Sequence, residues 1–443
     1  MQSGTLASQG VKNRALKGPV QKIFCLRLLV TGGFIMYLND IAIISGMIIK
    51  AASLYFLVMC LFFWLPKAKT IHRAPRTRFA CLIAARNEEA VIGNLIDSLK
   101  NQDYPSDLVK VFVIPNNCTD ATEAVSLDHG AEIIHTKGVI RSKGDALHEA
   151  VRMLLSKDDI DAFLIFDADN VVSPDYMKAM NDAFLSGAQV TKSRIESKNP
   201  YDSWVSGCYG LYYNIFNNFF NESRSRLGLS PKLIGTGLGI RRDVLEAFGG
   251  WNTVTIAEDT EFNADCVLKS FRIRWVKDAV TYDETPEDFA LSMKQRRRWI
   301  GGIMAVAKER VPDLVCDMRS GKHIHQLIDM FMILVMPYVQ VASLIPAALM
   351  LAASVYNGTV SVVLLVAGAG LILSYVGTTC FALLLAALSP YEAKKMWKAI
   401  LMFPIFTVSW MPLCITALFT GGGSWEQIKH RRALTLKELG YVR

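Results

Sequence analysis

Two parts of the chain are almost uninterruptedly apolar, and between them lie short hydrophobic runs punctuated by polar turns. Residues 41–65 form one apolar block broken only by Lys50. Residues 326–420 form the other, in pieces near 326–355, 359–388 and 397–420, each long enough to cross about 30 Å of hydrocarbon as a helix. The last contains Pro404 and Pro412, which predicts a broken or re-entrant helix. In the intervening stretch Phe79–Ala85 reads as a buried strand, followed by Arg86-Asn-Glu-Glu89 and a helix near 90–101. Val109–Ile114 reads as a second strand ending in Asn116–Asp120, with a helix to about His129. Ala131–His135 gives a third strand, Arg141–Asp145 a polar turn, and residues 146–156 a helix. Phe163–Phe166 is then a short central strand that stops on Asp167 and Asp169. This alternation predicts a parallel α/β sheet with right-handed crossovers, whose strand ends converge on one crevice.

Composition supports a mixed chain. Of 443 residues 51% are hydrophobic, yet the net charge is +8, too apolar for a wholly soluble protein and too charged for a wholly membranous one. The expected division is an extension over 1–40, a transmembrane helix over 41–65, a soluble α/β domain over 66–320, transmembrane or interfacial helices over 321–420, and a tail over 421–443. Basic residues before residue 36, with no cleavage site after them, lead us to expect that translation begins at Met36, the preceding segment being an upstream extension. Nine scattered cysteines, without a C-x-x-C pair or zinc spacing, read as reduced and structural. No basic run interleaved with aromatics points to nucleic acid. Lys67, Lys69, Arg73, Arg76 and Arg78 directly follow the first apolar block and place the soluble domain in the cytosol, close to anionic lipid.

Asp167 and Asp169 are the first candidates for chemistry. Two hard oxygen donors at a strand's end can hold a divalent cation whose remaining positions take diphosphate oxygens. An Asp-x-Asp at that place also makes an ordinary turn or helix cap. Lys143 and Arg141 either meet phosphate or belong to a solvated turn.

Six segments, taken together, look familiar. Arg86-Asn-Glu-Glu89, Asn117-Cys-Thr-Asp120, Lys143-Gly144, Asp167-Ala-Asp169, Ala257-Glu-Asp259 and Gln295-Arg-Arg-Arg-Trp299 resemble, in order and spacing, the membrane-bound family-2 glycosyltransferases, the group of cellulose, hyaluronan, chitin and poly-N-acetylglucosamine synthases. The resemblance covers residues 79–300 and the apolar segments around them. It implies a nucleotide-sugar-binding α/β domain of GT-A type inserted between transmembrane helices, with Mg²⁺ or Mn²⁺ on Asp167 and Asp169. It makes Asp259 the base that deprotonates the acceptor hydroxyl, with Glu258 beside it as a like charge; the same pair also suits the start of a helix. Asn116, Asp120, Lys143, Asp167, Gln295, Arg296 and Arg298 fall on the donor side by resemblance, with Arg298 in the family's fixed Arg place. Trp299, Trp251 and Gly237 fall on the acceptor side with Lys192, Arg194 and Gly235. A basic helix skimming the membrane is the other reading of Arg296 and Arg297. The aromatics from Tyr209 to Phe220 read either as core or as sugar platforms.

One departure concerns the nucleotide. Where the family commonly has Asp this chain has Asn116, whose carbonyl can still accept a hydrogen bond from uracil but without the charge. UDP-sugar is the expected donor and other nucleotides come second. Trp425-Glu-Gln-Ile-Lys-His430 resembles the gating segment of related synthases, with Trp425, Lys429 and His430 as working residues; a juxtamembrane basic anchor is the alternative. The expected enzyme is therefore an inverting, metal-dependent transferase of the cytoplasmic membrane that extends a polysaccharide. Its rival is a non-processive enzyme acting on a membrane lipid, and a different class is a transporter or receptor with an α/β regulatory domain.

Overall fold

The computed structural model describes residues 19–66, 70–138, 140–420, 434–435 and 437–438. The chain divides into two compact units, one made of Met1–Lys50 and Ser343–Ala367, the other of Ala51–Ala342 and Gly368–Arg443.

The second unit is built on one eight-stranded sheet. Its strands are β1 (Phe79–Ala85), β2 (Val109–Pro115), β3 (Glu132–Ile133), β4 (Ala162–Asp167), β5 (Val171–Val172), β6 (Val190–Ser197), β7 (Leu238–Arg241) and β8 (Ile273–Asp283), in the order β3-β2-β1-β4-β7-β6-β8-β5. The pairs among β3, β2, β1 and β4 are parallel, as the helix-strand rhythm predicts. The wholly parallel expectation fails beyond β4, because β7 enters antiparallel between β4 and β6. Since β6 pairs parallel with β8, the strands β1, β2, β3, β4, β6 and β8 all run one way. Their carboxyl ends therefore share a single edge of the sheet. The β7 strand begins at that edge, so the turn before it, Gly235–Gly237, lies there too.

Both faces of the sheet are covered at its centre, which is why β1, β2 and β4 read as nearly continuous apolar runs rather than alternating ones. Along β1, Phe79, Cys81 and Ile83 pack with Phe166, Tyr176 and Met180 on one face. Ala80 and Leu82 pack with Phe112, Phe163, Leu147 and Phe262 on the other.

Among the described residues, four helical stretches are long and apolar enough to cross a membrane: Asp40–Trp64, Ile324–Tyr356, Val360–Leu388 and Trp397–Thr420. The first belongs to a helix that starts at Pro19, well before residue 41. Proline is favoured at a first helical position, and two glycines weaken a helix without ending it. In the first unit a Cβ on Gly46 would stand 3.9 Å from Pro346, so those helices approach closely. The expected break in the last piece is present: Trp397–Val408 and Trp410–Thr420 are separate helices. Pro412 clashes with the carbonyl four residues back, at Val408, where the first of them ends.

Candidate active site

Asp167 ends β4, and the chain turns at once, with the Asn170 N–H donating to the Asp167 carbonyl at 3.1 Å. The turn reading and the ligand reading of Asp-x-Asp are thus compatible, since the turn leaves the Asp167 side chain at the sheet edge. Lys143 reaches it from the opposite wall. That lysine opens the helix Lys143–Leu154, whose start is set by a reciprocal capping box between Ser142 and Asp145. Its Nζ donates to Asp167 Oδ1 at 2.5 Å and to the Gly235 carbonyl at 2.6 Å. Glu258 Oε1 stands 3.9 Å away. Burial alone lowers the pKa of an ammonium, but the charges of Asp167 and Glu258 outweigh it here and hold Lys143 above its ordinary value.

Asp259 joins the same group through Gly235. The Gly235 N–H donates to Asp259 Oδ2 at 2.5 Å, and the Thr260 N–H donates to Oδ1 at 2.5 Å. Both oxygens of Asp259 are therefore oriented, and each keeps a lone pair. Glu258 and Asp259 occupy the first turn of Glu258–Leu268, where carboxylates are favoured. Burial, reinforced by the charges of Asp259 and Asp167, pushes the Glu258 carboxyl up to about 7.

Beneath these groups lie residues that strand-end reasoning did not single out. Lys198 donates to the Asp169 carbonyl at 2.6 Å, and Asp283, at the end of β8, accepts from Tyr213 at 2.7 Å and from Asn170 at 2.9 Å. Asp283 likewise ends a strand, but β8 carries Arg274, Lys277 and Asp278 and lacks the unbroken apolar run that marked Asp167. Lys192 does not line an acceptor surface. It is fully buried and donates to the carbonyls of Ser193 and Thr236, both at 2.9 Å, so it supports the turn Gly235–Gly237 from below. Its pKa falls to about 7 because burial disfavours the ammonium, against the pull of Asp259, Asp283 and Asp167.

The motif loops after β1 and β2 are knitted together. Asn87 Oδ1 accepts from the Thr119 N–H at 2.7 Å, and Glu89 Oε2 from the Ala121 N–H at 2.7 Å. Asp120 takes part in this link, accepting from Thr122 Oγ1 at 2.5 Å and the Glu89 N–H at 3.2 Å. A carboxylate beside a helix start finds such N–H groups readily, so Asp120 has a structural role at the place where a donor contact was expected. Asn116 differs. Its side chain is buried at the end of β2, and Oδ1 has no hydrogen-bond partner among the described residues.

Within Phe289–Met318, Gln295 accepts from Tyr209 at 3.0 Å, and the half-buried Trp299 meets the Tyr209 ring edge-on at 6.1 Å. Arg298 is half-buried and has no carboxylate partner among the described residues. Arg296 points elsewhere. It is fully buried, donates to the Phe406 carbonyl at 3.1 Å and Ser409 Oγ at 2.8 Å, and lies over the Phe406 ring at 4.2 Å. Neither a leaving-group role nor a membrane-surface role fits it; it satisfies a carbonyl freed where the last apolar helix breaks. Gly302 allows this long helix to approach the start of Glu258–Leu268, since a Cβ there would stand 2.7 Å from that of Ala257.

The model of the family described as "Glycosyltransferase like family 2" matches residues 75–302, just over half of the chain. The chain belongs to that family. This glycosyltransferase is 27% identical over 235 residues to a probable glycosyltransferase, YdaM, of Bacillus subtilis, covering 51% of this chain and 55% of the relative. It is 27% identical over 284 residues to a beta-monoglucosyldiacylglycerol synthase of Synechocystis, covering 62% and 57%. Against cellulose synthase 1 of Komagataeibacter xylinus the figures are 24% over 292 residues, 59% and 18%. The chain thus spans somewhat over half the length of the first relatives. The mannosyltransferase PcManGT of Pyrobaculum calidifontis, solved with GDP-Man and Mn²⁺, has the same fold, at TM-score 0.58 and 20% identity over 86% of this chain and 99% of that one. The glycosyltransferase domain is of GT-A type, as the resemblance implied.

Two acceptor-side expectations fail. Trp251 is 1% exposed and stacked on Phe262 at 4.7 Å, a core residue with no face for a sugar. Gly237 is a packing glycine: its φ is +64°, and a Cβ would fall 1.9 Å from Ser193 Oγ. The gating candidates Trp425, Lys429 and His430 lie outside the described residues. As for a metal, Asp167 and Asp169 supply two hard oxygens from one strand-end turn, and no cluster of three His, Cys, Asp or Glu able to hold a metal occurs among the described residues. Two carboxylates fit a divalent cation whose shell is completed by diphosphate oxygens and water.

Proposed function

We propose that this glycosyltransferase moves a sugar, with inversion, from a nucleoside diphosphate donor to the hydroxyl of an acceptor at a membrane surface. The observation that carries this reading is the single turn at Gly235, which accepts from Lys143, itself on Asp167, and donates to Asp259. Diphosphate-side and acceptor-side groups are thereby held in one hydrogen-bonded unit, as a one-step displacement requires.

In that step Asp259 takes the proton of the acceptor hydroxyl as its oxygen bonds to the anomeric carbon. The bond from that carbon to the donor phosphate breaks, and the nucleoside diphosphate leaves with the electron pair. Lys143 and Arg298 balance the charge that develops on it. Mg²⁺ or Mn²⁺ on Asp167 and Asp169 would add Lewis-acid neutralisation of the same diphosphate. The proposed donor is a UDP-sugar, because the unpartnered Asn116 Oδ1 suits the uracil N–H. The four apolar helices support membrane association, and we place the catalytic domain on the cytosolic side, where nucleotide sugars are.

For the acceptor, a lipid is the reading we favour. Leu364, Leu365, Leu371, Ile372 and Leu373 of Val360–Leu388 are all exposed, which suits contact with acyl chains more than the wall of a polysaccharide conduit. Polysaccharide extension is the second reading, favoured by the half-buried indole of Trp299. The test is nucleoside diphosphate release from a panel of nucleotide sugars with Mg²⁺ or Mn²⁺, in membranes containing the full chain, beside an Asp259→Asn control. Release from one donor that the control lacks is expected. Equal release in the control would overturn the role of Asp259.

A further inference from the structure

The segment between the helix Ser223–Arg226 and β7 carries an ammonium to which no countercharge is bound among the described residues. The main chain of Lys232 is pinned on both sides by one side chain: its N–H donates to Asn221 Oδ1 at 3.0 Å and its carbonyl accepts from Asn221 Nδ2 at 3.5 Å. Three residues later comes Gly235, whose N–H is on Asp259. The Lys232 side chain is half-buried, and among the described residues its Nζ makes no hydrogen bond or ion pair. Its Nζ lies over the ring of Phe216, 5.7 Å from the ring centre. Burial lowers its pKa, partly against the pull of Asp259. A half-buried cation without a paired charge is costly unless something supplies one, and none of the described residues does so for Lys232.

Phe216 is the middle ring of a row. Tyr212, Phe216 and Phe220 recur at every fourth residue, their centroids 4.9 Å and 5.1 Å apart, and all three are half-buried. The row runs through a π-helical turn, Ile215–Glu222, a form that often marks functional sites. At one end Trp410, from the broken apolar helix, stacks on Tyr212 at 5.4 Å. At the other, Arg224 lies 3.5 Å over Phe220 and is already paired with Asp329. An apolar strip therefore leads from a candidate membrane span to a place where one unpaired cation stands near the proposed base.

We propose that the acceptor is a lipid with an anionic headgroup, its charge taken by Lys232 beside Asp259 and its apolar part lying along Tyr212, Phe216 and Phe220. The inference rests on the lipid reading above and goes beyond it in requiring a negative charge. A neutral glycan or diacylglycerol fills the strip or meets the base but leaves Lys232 unpaired. An anionic amphiphile satisfies all three features at once.

The experiment uses the full chain in mixed micelles, with the donor identified by nucleoside diphosphate release, and two probes that each present a hydroxyl: phosphatidylglycerol, which is anionic, and diacylglycerol, which is not. Expected is a kcat/KM at least tenfold higher for phosphatidylglycerol. That preference should be lost in Lys232→Gln and largely kept in Lys232→Arg. Equal use of the two lipids, a preference for diacylglycerol, or a preference that survives in Lys232→Gln would overturn the proposal. So would nucleotide release by wild type with a lipid-free glycan as the product, or with no lipid product from either probe. Absence of release from every donor would instead overturn the transferase reading underneath, so the two failures are distinguishable. The wild-type comparison stands even where a variant does not fold.

Discussion

Replacing Gly237 with alanine separates a packing role from a substrate role at one atom. The new Cβ would lie 1.9 Å from Ser193 Oγ and 2.7 Å from Thr281 Oγ1, at a φ of +64°. Those two hydroxyls are buried and hydrogen-bonded to each other at 2.9 Å, so neither can move aside without losing a partner. A left-handed conformation costs an alanine about 1–2 kcal/mol, and forcing one carbon into a packed interior costs about 1–3 kcal/mol more. Together these give roughly 2–5 kcal/mol, which for a domain of this size lowers the melting temperature by about 5–15 °C. Gly235→Ala is the control at the same turn. Its Cβ would meet only Asp167 Oδ2, at 3.3 Å, with no positive φ, so it should melt close to wild type while disturbing the donor side. Thermal unfolding of both variants in detergent, followed by near-ultraviolet circular dichroism, decides the matter. A Gly237→Ala protein that melts with wild type yet raises the acceptor KM would refute the packing argument and return Gly237 to the acceptor site.

Asp259→Asn keeps the shape of the base but not its proton affinity, and transfer should fall about 10²–10⁴-fold with donor binding retained, measured by initial rates and by nucleotide titration. Trp251→Ala should cost about 3–5 kcal/mol of stability through the cavity it leaves, whereas a sugar platform would show a raised acceptor KM at unchanged stability. Glu258, with its carboxyl raised to about 7, binds its proton more tightly folded than unfolded. Its contribution is full below the ordinary carboxylate pKa and is lost as pH rises through about 7. Between pH 5 and pH 8, with chelator present, wild type should therefore lose more melting temperature than Glu258→Gln; parallel curves would contradict the burial argument.

Read along the chain, the apolar runs already determined where strands β1, β2 and β4 and the four apolar helices lie, because burial on both faces or in lipid leaves an unbroken hydrophobic signature. Pro412 marked the break in the last apolar piece, since a missing N–H and a clash act on the carbonyl four residues back. Pro312, Pro337 and Pro404, however, lie inside helices that continue through them, so the prolines alone did not say where a helix ends. Strand ends marked Asp167 and Asn116 for the same local reason. What lies across from a residue was not legible. Arg296 and Arg298 stand two apart in one motif, yet one is sealed under the broken apolar helix and the other is half-buried, with no carboxylate partner among the described residues. Trp251 and Trp299 read alike as sugar platforms until Phe262 covers the first. Asp120 and Lys192 carry charges that a sequence assigns to ligands, and the fold spends them on Glu89 and on the carbonyl of Thr236. The antiparallel insertion of β7, which brings Gly235 between Asp167 and Asp259, depends on pairings among strands up to about eighty residues apart. Local pattern shows which residues must be buried or kept near water, but the partner that completes each charge or ring comes from a distant segment, and only the folded chain selects it.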